Sequence, residues 1–195
     1  MNPHMEAINM KKELANIARI SIGASLTRYS KRYEGEKQKT DVLYCTVSEF
    51  YTKEEDVAAD IDSKYLTQKG DVIFKLSEPQ VAVSIDENSD IPENVVVSSK
   101  FAILKPIDVD STFLAELLNS NIARNQIQKF SEGIIKQIKK SDVGKLKFEI
   151  PSVEEQEEYV ESIQLINKEI ALQKKLITEN MNLKEAIIQK SQGSE

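Results

Sequence analysis

The chain has 195 residues, 40% hydrophobic and 30% charged, enough apolar material for a packed core and too much for general disorder. No apolar run approaches the roughly 20 residues that span a bilayer, the first ten residues lack the charged start and apolar stretch of a secretory signal, and the one cysteine, Cys45, excludes an internal disulfide framework. The expectation is a cytoplasmic protein with no membrane partner, built as one domain plus an appendage or as two very small domains.

Net charge is −6, unevenly spread: residues 1–50 carry +2, residues 51–120 carry −8, residues 121–150 carry +4 and residues 151–195 carry −4. Two basic segments bracket an acidic one. A fold that joins them would present a positive face on an acidic protein, although scattered solvated charge reads the same way.

Residues 11–22 open with a short amphipathic stretch, Leu14, Ile17, Ala18 and Ile20, and run to Gly23, which marks a turn or a close backbone approach. Residues 27–40 are polar and basic and show no hydrophobic period, so a surface loop is predicted. Residues 42–47 are β-branched and aromatic and predict a strand, in which Cys45 reads as a buried structural thiol. Residues 52–62 are acidic and expected to be exposed. A turn at Lys69-Gly70-Asp71 feeds a predicted strand over 72–76, and further strands are predicted over 81–85, 95–97 and 101–104. Short strands at close spacing imply a largely antiparallel sheet.

From Ser111, a candidate N-cap, the period becomes helical through Phe113, Leu114, Leu117 and Leu118, and Ile122, Ile127 and Phe130 extend it toward Gly133. Residues 134–140 are basic, residues 141–144 read as a turn, and the alternation over 146–150 predicts a strand ended by Pro151.

Beyond Pro151, Ser152 followed by Glu154 and Glu155 signals a helix start, and no Gly or Pro interrupts through Ser191. Tyr159, Ile163, Ile166, Ile170, Ile177, Met181 and Ile188 form one apolar stripe, broken by Gln173 and Lys184. Leu165, Leu172, Leu176, Leu183 and Ile187 form a second beside it. A helix over 154–190 would be about 55 Å long, more than a domain of about 150 residues spans, so part of it is expected to project. Its apolar face then needs another helix, most simply from a second copy; the alternative is a helix folded back on its own domain. The predicted fold is α+β: a mixed, largely antiparallel-sheet domain over 1–150, then one long helix over 151–195 that pairs as a coiled coil.

The motifs of several chemistries are missing. His4 is the only histidine, which argues against a histidine-based triad and a Cys/His zinc cluster. The sequence holds no Gly-x-x-x-x-Gly-Lys phosphate loop, no Gly-x-Gly-x-x-Gly and no Pro-Pro-Tyr. Asp60-Ile61-Asp62-Ser63-Lys64 imitates the acidic-x-Lys arm of a metal-dependent nuclease, but no strand is predicted around it. No catalytic residue, cofactor or metal is expected.

Several segments together resemble the specificity subunits of type I restriction–modification systems: Leu14 to Gly23, Lys69-Gly70-Asp71-Val72-Ile73, Ser98-Ser99, Gly133, Ile138 to Asp142, Leu146 to Pro151, and Glu154-Glu155-Gln156 followed by the long helix. The resemblance spans essentially the whole chain and is most specific over 146–156. It implies a target-recognition domain over 1–150 and a spacer and dimerisation helix over 151–195. Members of that family carry two of each, so this chain looks like a half-subunit that dimerises, placing two domains at opposite ends of antiparallel helices.

The resemblance further implies double-stranded DNA as ligand, with methyltransferase (modification) and restriction subunits supplying all chemistry. Lys31, Arg32, Lys37, Lys39, Lys136, Lys139 and Lys140 are the candidate phosphate contacts, and Ser25, Thr27, Arg28, Tyr29 and Lys100 the candidate base readers. Three other readings stay open: a coiled-coil adaptor that binds protein, a regulatory half-subunit that displaces a full-length one, and a stand-alone nuclease.

Overall fold

In a computed structural model the described residues are 11–87, 89–130 and 137–192. They divide into two compact units, Met1–Gln156 and Glu157–Glu195.

The first unit is α+β and centres on a four-stranded antiparallel sheet. In chain order come β1 (Lys12–Glu13), α1 (Leu14–Ile17), β2 (Ala18–Ile22), β3 (Lys37–Cys45), β4 (Phe50–Ala58), β5 (Val72–Lys75), β6 (Ala82–Ser84), β7 (Phe101–Pro106), α2 (Ser111–Asn119), α3 (Asn121–Gln128), α4 (Lys140–Val143) and β8 (Lys147–Phe148). The central sheet runs β2-β7-β5-β6, while β3 with β4 and β1 with β8 form separate two-stranded pairs.

Strands β5 and β7 are apolar without alternation because both faces of the sheet are covered. Val72, Phe74, Ala102 and Leu104 point into one cluster with Leu14, Leu114, Leu118 and Phe148. Their neighbours Ile73, Phe101 and Ile103 point the other way, into a cluster with Leu43, Ile85, Ile91 and Val97. Cys45 is half-buried at the edge of that second cluster, and burial pushes its thiol up from the ordinary value while nearby Lys75 opposes the shift.

The last four residues of the predicted loop over 27–40 begin a strand, and most of the predicted exposed acidic stretch over 52–62 is its hairpin partner. Strand β3 pairs with β4 from Lys37↔Ala58 to Cys45↔Phe50. Lys39 stands opposite Asp56 and forms an ion pair with Glu54 at 3.1 Å. Cross-strand charge pairing takes the place of an apolar period, so periodicity does not report this strand. Lys75, 9% exposed, ties the hairpin tip to the sheet by donating to the carbonyls of Thr46 (2.8 Å) and Val47 (3.2 Å).

Three smaller expectations are also corrected. The cap of α2 is Asp110 rather than Ser111: its Oδ1 accepts the Phe113 N–H at 2.9 Å, a carboxylate on the positive end of the helix. The helical pattern does not run on from α2, because Ser120 is extended and caps α3 by accepting the Ala123 N–H. Residues 95–97 are buried and extended but only bridge their neighbours, Val96 meeting Val42 and Leu66.

The long helix α5 (Val153–Ser191) has 39 residues, about 58 Å at the α-helical rise. Its start is the capping box expected from Ser152: the Ser152 N–H donates to Glu155 Oε2 and the Glu155 N–H to Ser152 Oγ. Gln156, 3% exposed, fixes the first turn, accepting the Asp110 N–H at 2.8 Å and donating to the Pro151 carbonyl at 3.0 Å. From Glu157 onward the described side chains are exposed except for half-buried Val160 and Ile163. Tyr159, Ile166, Ile170, Ile177, Met181 and Ile188 of the first stripe are all among the exposed ones.

Candidate nucleic-acid interface

The basic turn after β2 is held from beneath by Gly23. The Gly23 N–H donates to the Phe101 carbonyl (3.1 Å), the Ala24 N–H to Val97 (2.7 Å) and the Ser99 N–H to Ala24 (2.8 Å). A Cβ on residue 23 would lie 2.3 Å from the carbonyl oxygens of both Val97 and Ser98, so only glycine fits. Ser98 is buried in a bridge with Ala24. Two separated motifs, Gly23 and Ser98-Ser99, are thus the two halves of one contact, which also brings Ser25 and Lys100 to the same edge.

From there the chain makes a wide helical turn over Thr27–Lys31. Ser25 accepts the amides of Arg28 and Tyr29, and Thr27 accepts that of Arg32. This lifts Ser25, Thr27, Arg28, Lys31 and Arg32 into solvent. Tyr29 turns inward: it is half-buried against the Val42, Val57 and Val96 cluster, its ring 5.8 Å from that of Tyr65. It anchors the turn, and the Arg28 guanidinium lies over its outer face at 5.6 Å. The turn therefore presents three exposed cations on a half-buried aromatic footing.

The other candidates fall into two further places. Lys37 and Lys39 are exposed on β3, but Glu54 engages Lys39 and holds its ammonium above the ordinary value, so its charge is locally balanced. Lys139 and Lys140 are exposed at the start of α4. Lys140 shares a shallow depression with Arg19, Ser141 and Lys145, although Lys145 is paired with Asp142 at 2.8 Å. Arg19 and Lys145 were not singled out by sequence. Arg19 sits in an alternating strand whose register, opposite Lys105, places it on the surface. Strand β2 separates this patch from the turn: Arg19 and Ser25 are six residue steps apart, about 20 Å at most. Lys136 and Gly133 lie outside the described residues, as does His4.

The acidic groups that imitate a nuclease arm serve the local fold. Asp62 accepts the Lys64 N–H at 3.0 Å and pairs with its ammonium at 2.7 Å, and Asp60 accepts the Tyr33 hydroxyl. Among the described residues no group of three His, Cys, Asp or Glu side chains could hold a metal ion. No described helix is long and apolar enough to cross a membrane. The Lys69-Gly70-Asp71 motif is likewise a turn device. Gly70 adopts φ +85°, and buried Asp71 accepts the Gln68 N–H while pairing with Lys105 at 3.2 Å. Burial raises the Asp71 carboxyl from its ordinary value, against the pull of Lys105.

The family model for the type I restriction modification DNA specificity domain matches residues 9–179. The chain belongs to that family. Two solved chains share the fold. One comes from work on complex assembly and conformational transition of the type I R-M system: TM-score 0.60, 16% identity, 92% of this chain and 44% of that one. The other is the HsdS subunit from Thermoanaerobacter tengcongensis: TM-score 0.57, 16% identity, 90% of this chain and 42% of that one. The chain thus spans less than half the length of either. No curated protein matches it.

Proposed function

We propose that this chain is a non-catalytic, sequence-specific DNA-binding half-subunit of a cytoplasmic type I restriction–modification system. It acts as a homodimer that guides methyltransferase and restriction subunits to a bipartite site. The observation that carries the reading is the exposed turn over residues 25–32 in a domain of the specificity family. Arg28, Lys31 and Arg32 stand there with Ser25 and Thr27, on a footing fixed by Gly23 and Tyr29. Cations at this density contact phosphates, and hydroxyl and guanidinium groups between them reach base edges. Lys100 flanks the turn, and Arg19, Lys139 and Lys140 offer a second phosphate contact at most about 20 Å from it along β2.

Long α5, with its apolar residues in solvent, supports dimerisation. One recognition domain per chain reads one half-site, and two chains joined by their helices read two. Coexpression with a type I modification subunit, followed by mapping of the methylated sites, tests the reading. Two half-sites related by symmetry and separated by a fixed gap are expected. Methylation that is absent or lacks a common sequence refutes it.

A second reading, a protein-binding adaptor, draws support from the exposed acids Glu54 and Asp56 on β4. Duplex binding that weakens linearly with the logarithm of salt separates the two, because an adaptor would show none.

A further inference from the structure

Ten exposed apolar residues of α5 repeat every eleven positions: Leu165, Leu176 and Ile187; Ile166, Ile177 and Ile188; Ile170 and Met181; Leu172 and Leu183. All ten are between 43% and 70% exposed. At 3.6 residues per turn they form two stripes about 120° apart, Ile166, Ile170, Ile177, Met181 and Ile188 on one side, Leu165, Leu172, Leu176, Leu183 and Ile187 on the other. Between the stripes runs a polar line, Glu169, Gln173, Asn180 and Lys184.

This pattern is its own mirror image about the point between Leu176 and Ile177. Reflection there exchanges Leu165 with Ile188, Ile166 with Ile187, Ile170 with Leu183 and Leu172 with Met181. It also exchanges Glu169 with Lys184 and Gln173 with Asn180, so the polar line is complementary to itself read backwards.

Resting on the homodimer reading above and on the antiparallel helices that the family resemblance implies, we propose that the dyad relating α5 to α5 of a second copy lies between Leu176 and Ile177. Glu169, Gln173, Asn180 and Lys184 set the register. In that alignment Glu169 meets the partner's Lys184 and Gln173 meets the partner's Asn180 on the centre line. Along one flank Ile166 packs beside the partner's Ile188, and Ile170 beside the partner's Met181. Along the other, Leu165 packs beside the partner's Ile187 and Leu172 beside the partner's Leu183.

Other alignments lose this match. A parallel pair sets Glu169 against Glu169 and Lys184 against Lys184. Sliding the antiparallel pair by four residues puts Lys184 against Leu165 in one direction and Glu169 against Ile188 in the other, each a charge buried on an apolar side chain. Polar residues inside an apolar seam fix alignment in this way in coiled coils. An eleven-residue repeat stays close to the natural period of the helix, so the pair is nearly straight or slightly right-handed. The two Gln156 residues then stand about 60 Å apart along the axis.

Cysteine cross-linking of the full chain in a Cys45→Ser background tests the alignment. Ile177→Cys is expected to form a disulfide dimer by itself. Ile166→Cys alone is not, because its two copies lie about 30 Å apart, but it cross-links with Ile188→Cys when the two variants are mixed. Glu169→Lys or Lys184→Glu alone should weaken dimerisation about tenfold or more, and the double variant should recover it. Self-cross-linking of Ile166→Cys, or single reversals without effect in a chain that still dimerises, overturns the alignment and leaves the homodimer standing. A chain that sediments as a monomer, alone and with the modification subunit, overturns both.

Discussion

Replacing Gly23 with alanine tests whether the footing of the basic turn controls recognition. The new Cβ would lie 2.3 Å from two carbonyl oxygens, Val97 and Ser98. Ordinary carbon–oxygen contacts begin near roughly 3.3 Å, so the two segments must part by about 1 Å. That stretches the three bonds joining them, from Gly23 to Phe101, Ala24 to Val97 and Ser99 to Ala24, beyond useful length. At about 1 kcal/mol each, the loss is roughly 2–4 kcal/mol, enough to shift a denaturation midpoint without unfolding a typical domain. Urea titration followed by circular dichroism reads the stability, and duplex binding as a function of salt reads the turn. The expected result is a folded protein with a lower midpoint and weakened binding. An unchanged midpoint together with unchanged binding would refute the argument that Gly23 places the turn.

Three further outcomes follow from the same geometry. Replacing Arg28, Lys31 and Arg32 together with alanine should weaken duplex binding and reduce the salt slope by up to about three units, whereas Lys39→Ala, whose charge Glu54 already balances, should change it little. Ile170→Asp with Ile177→Asp should abolish dimerisation, read by sedimentation, while leaving the thermal unfolding of the first unit unchanged, because both side chains are exposed in the single chain. Tyr44 is pushed up to about 12 by burial and by its hydrogen bond to Glu55, above an unfolded value near 10. The folded state holds that proton longer, so its stabilising effect is complete below pH 10 and is lost as the pH rises toward 12. Tyr44→Phe should flatten the fall in urea midpoint over that range, and an equally steep fall in the variant would count against the assignment.

Much of this was legible before any coordinates. The capping box at Ser152 and Glu155, the uninterrupted helix and the apolar strands at 72–76 and 101–104 read directly, because local hydrogen-bonding chemistry and burial on both faces leave local signatures. The hairpin of β3 and β4 did not. Its stabilising pairs, such as Lys39 with Glu54, join residues whose relation exists only once the register is set, and a polar strand has no apolar period to announce it.

The candidate site divides the same way. Its cations were visible as a cluster at residues 28–32, since unpaired charge without periodicity marks a surface. That Tyr29 points inward as an anchor, that Arg19 belongs with Lys140, and that Gly23 and Ser98 meet face to face depended on the tertiary structure. The sequence by itself determined which segments are helix, core strand and charged surface, because those follow from the side chains within a few residues. Only the tertiary structure decided which distant segments touch, because a backbone contact such as that of Gly23 with Val97 and Ser98 is made by atoms every residue shares and leaves just one mark, the absent side chain.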